Sequence, residues 1–132
     1  MSCTVKITGG KSDISLDKVN SKILFYTESE VVLHNSDSIG VSITISGNIT
    51  QKTKDAVIQL SRWSRDFSDE SAVYRQVEIS EIQESDKTVV RTYIFPKMFV
   101  FSYEESTVEK KESIFTLGLR QREGELQSIE IF

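Results

Sequence analysis

Residues 40–46 read Gly-Val-Ser-Ile-Thr-Ile-Ser. Val41, Ile43 and Ile45 alternate with Ser42, Thr44 and Ser46, so apolar and hydroxyl side chains fall on opposite sides of an extended chain. A period of two with β-branched residues is the pattern of a strand with one buried and one wet face. On a helix the same residues would scatter around the whole surface. This segment fixes the class as mainly β, and the remaining chain is read outward from it.

Toward the N-terminus, Val5 and Ile7 open a short strand that ends at the Gly9-Gly10 turn. Ser12 to Asn20 alternates weakly through Ile14 and Leu16, with Val19 one residue out of phase. Lys22 to Thr27 (KILFYT) is dense in apolar and aromatic residues and reads as a central strand. Val31 to Leu33 is a further apolar triplet, and residues 34–38 (HNSDS) form a polar turn.

Toward the C-terminus the period changes. Val57, Leu60, Trp63 and Phe67 fall three and four apart, on one face of a helix over about residues 54–66. Thr53 is placed to cap it, Asp55 lies in its first turn, and Arg62 and Arg65 lie in its last. Ser68 to Ser71 should stop it. Strands resume at Val73, with Val77 and Ile79 inward and Gln76 and Glu78 outward. Residues 84–87 (ESDK) make a hairpin turn, and Thr88 to Phe95 is the antiparallel partner. Pro96 cannot donate to a ladder, so it marks a bulge, an edge or a kink. Met98 to Tyr103 (MFVFSY) reads as a strand covered on both faces. Glu104 to Ser113 reads as a charged loop. Ile114 to Arg120 and Gln127 to Phe132 read as a closing hairpin around Glu123-Gly124. The expectation is one β-rich domain over residues 1–132. It is an antiparallel barrel or sandwich of roughly eight to ten strands with one short mid-chain helix.

Composition narrows the functional classes. The chain has 132 residues, 38% hydrophobic content and a net charge of -4 with both signs interleaved, which suits one soluble domain and lacks the basic stripe of a nucleic-acid binder. No run approaches the ~20 apolar residues of a membrane helix. The first ten residues carry no apolar signal segment, so synthesis in the cytoplasm is expected. The single cysteine, Cys3, has no intramolecular partner and reads as a bystander. The single histidine, His34, sits in a polar turn, and no Gly-x-Ser-x-Gly elbow accompanies it. The carboxylate pairs Asp69/Glu70 and Glu104/Glu105 lie in expected loops beside cations. The aromatic residues from Tyr93 to Tyr103 alternate at strand spacing, as core residues do. Neither a catalytic site, a cofactor site nor a metal site is indicated.

What remains are surfaces and edges. Arg75 and Arg91 are expected on facing strands, and Arg120 and Arg122 at a strand end. They read either as exposed cross-strand ion pairs, each worth under about 1 kcal/mol, or as interface anchors. The last strand, ending at Phe132, presents an edge open to pairing with another chain. Glu104 and Glu105 join these residues as candidate interface positions.

The order of elements resembles a known family. The segment Y-R-Q-V-E-I at residues 74–79, the strand P-K-M-F-V-F-S-Y at 96–103, and the closing F-T-L-G-L-R-Q and I-E-I segments are similar to the tail-tube fold. That fold is shared by contractile phage tails, phage-tail-like bacteriocins and the haemolysin-coregulated protein of type VI secretion. The last third of the chain carries most of the resemblance. It implies a homo-oligomeric ring, usually of six subunits, stacked into a hollow tube with no enzyme activity and no cofactor. Sheath, baseplate or other tail proteins would be its partners, and a virion or secretion apparatus its destination. It also implies that Ser42, Thr44 and Ser46, or Gln76 and Glu78, face the lumen. The chain is short for such a subunit, which leaves room for a tube-initiating or baseplate component. The competing reading is a barrel or sandwich binding a small ligand, its pocket lined by the aromatics from Tyr93 to Tyr103.

Overall fold

The computed structural model describes residues 2–27 and 39–132. The strands are β1 (Ser2–Thr8), β2 (Ile14–Thr27), β3 (Ile39–Ile49), β4 (Arg75–Gln83), β5 (Thr88–Ser106), β6 (Ser113–Gln121) and β7 (Glu130–Ile131). Helix α1 (Lys54–Trp63) and the single turn α2 (Glu70–Val73) interrupt them between β3 and β4. Every pairing is antiparallel, in the order β4-β1-β2-β3-β6-β5-β7. Because β4 also pairs with β5, six of the strands close into a barrel, and β7 is appended to β5.

Alternation sets the phase of the barrel. Val41, Ile43 and Ile45 are fully buried, as are Phe115, Leu117 and Leu119 on β6, and Val77 and Ile79 on β4. A slip of one residue would turn each set outward, and each large aliphatic side chain is worth about 1.5–3 kcal/mol in the core. That cost pins the register.

Among the described residues there are seven strands, fewer than the pattern suggested, because two apparent breaks are bulges. Lys18 takes a left-handed φ of 55°, and between Cys3 and Val5 two residues of β2, Asp17 and Lys18, oppose the single Thr4 of β1. The extra residue shifts the phase, so Leu16 and Val19 are both buried although three apart. Residues 14–27 are therefore one strand. The same happens at Pro96-Lys97, where Val77 pairs with Phe95 but Arg75 pairs with Met98. Lys97 has φ 57°. The Pro96 carbonyl accepts from the Gln121 side-chain amide at 2.9 Å. Pro96 thus sits in a bulge and β5 runs on through it.

Other expectations need correction. The helix ends at Trp63, so Arg65 lies beyond it, and Phe67 is 78% exposed rather than part of its buried face. Thr53 holds the capping position but makes no cap bond. Its hydroxyl donates to the Asn48 carbonyl at 2.9 Å and accepts from the Thr50 amide. Residues 70–73 are helical, because Asp69 caps the Ala72 amide at 2.9 Å, so β4 starts only at Arg75. Residues 104–106 continue β5, and the loop is shorter than expected. The strand from Met98 to Tyr103 is not covered on both sides, since Phe101 is 44% exposed. The closing hairpin does not form. β6 lies between β3 and β5, while β7 pairs with the first half of β5, Tyr93 opposite Ile131. Sequence proximity suggested that pairing, but the chain turns away through a 3-10 turn at Leu126–Ser128. Residues 31–38, with the expected triplet, turn and His34, lie outside the described residues.

Helix α1 buries Val57, Leu60 and Trp63. The Trp63 indole N–H donates to the Val73 carbonyl at 3.0 Å, which ties the helix end to the start of β4. Cys3 is buried, with its sulfur 3.1 Å from the Ser21 hydroxyl.

Candidate assembly surface

Four strands present one continuous outer face. The second half of β2, then β3, β6 and the second half of β5 lie side by side in register. Three rows cross it: Leu24-Ser42-Arg120-Phe99, Lys22-Thr44-Gly118-Ser102 and Asn20-Ser46-Thr116-Glu104. Ser42, Thr44 and Ser46 are half-buried in the middle of this sheet. Apolar groups stand near its two margins: Leu24 is 52% exposed, Phe25 49% and Phe101 44%.

Glycine shapes the surface at Gly118. A Cβ there would meet the Ser102 hydroxyl and lie 2.9 Å from the Phe101 ring, so the glycine is what lets both side chains pack against β6. The Arg120 guanidinium lies over the same ring, 4.4 Å from its centre. This cation–π contact is one use of Arg120, which has no ion pair among the described residues.

The margins themselves are open. On β2, residues 21–27 pair with β3 on one side, and on the other side β1 reaches only as far as Val19. On β5, residues 99–106 pair with β6 on one side, and β4 reaches only as far as Met98. Among the described residues, no strand occupies either outer side. The four-stranded sheet therefore ends in two unpaired edges, one at each margin. Unpaired N–H and C=O groups in a row are templates for another strand.

The remaining candidate residues are distributed as follows. Arg75 is 8% exposed, so it is not an exposed cross-strand ion pair. It lies over the Trp63 ring at 5.2 Å. Arg91 faces Glu81 across β4 and hydrogen-bonds the Tyr93 hydroxyl at 3.1 Å. Arg122 is held inside the subunit by Glu70 at 2.6 Å and Glu125 at 2.9 Å. Glu104 lies on the outer face of the sheet. Glu105 accepts from the Tyr103 hydroxyl at 2.7 Å, and burial, helped by that contact, pushes the phenol pKa up from its ordinary value. Phe132 is 71% exposed although its backbone pairs with Thr92. Gln76 and Glu78 lie on β4, three strands from β3 in either direction round the barrel, so they point away from Ser42, Thr44 and Ser46. Within the stretch from Tyr93 to Tyr103, Phe95 is fully buried and Tyr93 stacks on it at 5.8 Å, while Phe101 stands exposed, so the core takes only part of the aromatic run.

Lys22, Leu24, Thr116 and Gly118 belong to the same face and were not singled out from sequence. The alternation in residues 114–120 carried the signal for the last two. Among the described residues, no cluster of three or more His, Cys, Asp or Glu side chains is placed to hold a metal ion.

No protein-family model matches the chain, and no curated protein matches it significantly. Solved structures do. Hcp1 from Flavobacterium johnsoniae superposes with a TM-score of 0.60 at 15% identity, over 99% of this chain and 94% of that one. A chain of the baseplate of the anti-feeding prophage gives 0.59 at 13% identity, over 99% and 92%. A chain of the PVC sheath-tube complex, an extracellular contractile injection system, gives 0.58 at 10% identity, over 99% and 88%. Across nearly its whole length, this chain has the fold of Hcp1 and of these injection-system components.

Proposed function

We propose that this chain is a structural subunit of a ring-stacked tube, in a phage tail, a phage-tail-like particle or a type VI-like secretion apparatus, and that it is not an enzyme. The observation that carries the reading is the pair of unpaired edges on the sheet β2-β3-β6-β5. Two different edges on one molecule make a heterologous contact, which closes into a ring when the rotation fits. The four strands alternate in direction, so β2 of one copy meets β5 of the next in antiparallel fashion. The apolar margins at Leu24, Phe25 and Phe101 would then be covered at each junction. The hydroxyl-bearing face of Ser42, Thr44 and Ser46 would line the lumen, and six copies is the number that the likeness to a chain of the six-fold symmetrised anti-feeding prophage baseplate suggests. Gln76 and Glu78 fall outside this lumen and are left for the outer surface.

Sister copies are the first partners, with sheath and baseplate proteins after them. Synthesis in the cytoplasm followed by incorporation into a particle is the matching location. A tube-initiating ring is a second form of the same reading, favoured by the likeness to the anti-feeding prophage baseplate chain.

The test is light scattering combined with negative-stain electron microscopy across a concentration series. Closed rings, or tubes with an axial channel, are the expected result. A protein that stays monomeric at millimolar concentration would remove the proposal.

A further inference from the structure

Beside helix α1, away from the four-stranded sheet's margins, lies a cleft of about 340 Å³ lined by Lys11, Ser12, Gln59, Arg62, Asp66 and Arg75. Its charged lining is three cations to one carboxylate. Such an imbalance around a partly enclosed space concentrates anions.

Arg75 forms the floor and is more than nine-tenths buried. Its guanidinium stacks over Trp63 on one side. On another it lies against Gly10, where a Cβ would come within 2.5 Å of Cζ and 2.8 Å of Nη1. These neighbours fix the plane of the group. Its Nε donates to the Ala72 carbonyl at 3.0 Å. Nη1 has no hydrogen-bond partner among the described residues.

Asp66 does not complete the site. Its Oδ1 accepts from the Ser68 amide at 3.1 Å and the Ser68 hydroxyl at 2.6 Å. Its Oδ2 stands 4.0 Å from Arg75 Nη2, too far for the paired hydrogen bonds a guanidinium can make. Burial accordingly lowers the Arg75 pKa from its ordinary value by more than Asp66 restores. Lys11 and Arg62 are exposed and have no ion-pair partner within 4.0 Å among the described residues.

We propose that this cleft binds a single oxyanion, a phosphate or carboxylate group, held by Arg75 from below and by Lys11 and Arg62 from the rim. Ser12 and Gln59 add neutral donors. The anion has two possible sources, a free ion or an acidic side chain of a second copy. The site stands apart from the tube reading, because monomers suffice to test it.

Trp63 is the only tryptophan and touches Arg75, so its fluorescence reports on the cleft. The full chain is titrated with sodium phosphate at constant ionic strength, against sodium chloride. A saturable, phosphate-specific change is expected, weakened about tenfold in Arg62→Gln and in Lys11→Gln, since each removes one charge-assisted contact at the exposed rim. No change beyond that of chloride, or equal affinity in wild type and both variants, overturns the proposal. Sedimentation velocity then separates the sources. If phosphate and Arg62→Gln both weaken self-association, a neighbouring carboxylate is the natural occupant. If self-association is unaffected while phosphate still binds, the occupant is a free anion. Either result upholds the site.

Discussion

Trp63 holds three parts of the molecule together. It fills the space between α1 and the barrel, its N–H satisfies the Val73 carbonyl, and its ring supports the buried Arg75. Replacing it with alanine removes all three and should cost about 3–5 kcal/mol in urea unfolding. A loss under about 1 kcal/mol would mean that the indole contributes little to the core. At the surface, Glu84 accepts hydrogen bonds from Lys87 and Ser2, which hold its pKa at about 2 against an ordinary 4.5. Hydrogen bonds from Ser68, Ser71 and Thr88 lower Asp66, Asp69 and Asp86 in the same direction. The folded state thus keeps these carboxylates ionised where the unfolded chain protonates them. The stabilisation is complete above pH 4.5 and is lost as pH falls toward 2. Denaturant melts across that window should show stability falling with pH, with a shallower fall in Glu84→Gln. An unchanged slope in that variant would contradict the assignment.

Elements show where sequence reading works and where it stops. The alternation in residues 41–46 gave both the strand and its buried side, because a period of two has only one phase that buries Val41, Ile43 and Ile45. Lys18 and Lys97 defeat the same logic. A bulge adds one residue to one strand, a fact about the pairing that neither strand carries alone. The missing N–H of proline marked Pro96 as a bulge, an edge or a kink, and it is the first of these. In the barrel its carbonyl is used instead, by Gln121. Which strands meet was equally hidden. β7 joins β5 rather than β6, and the two open margins emerge only from that order. Of the candidate site, Ser42, Thr44 and Ser46 were legible as a wet face, but their separation from Gln76 and Glu78 was not. Gly118 illustrates a contact with no sequence signature. Gly118→Val would drive a side chain into the Ser102 hydroxyl and the Phe101 ring and should destabilise by about 1–3 kcal/mol. Adding Phe101→Ala should recover part of that loss, because the two positions share one space. Strictly additive unfolding energies would contradict the contact.

At the scale of the whole molecule, a closed barrel would be expected to have no edges, yet among the described residues β2 and β5 each overhang with one. The reason is the length of β2 and β5. Each is longer than the neighbour that closes the barrel beside it, so β1 stops at Val19 and β4 at Met98, leaving overhanging halves. Those halves, with β3 and β6 between them, form a sheet that a second copy can extend at either margin. Amide hydrogen exchange followed as a function of protein concentration tests this most directly. Protection of the outward-facing amides in residues 21–27 and 99–106 should rise together as the protein associates. Association that leaves both segments unprotected, or protects only one of them, would contradict a ring built through these two edges.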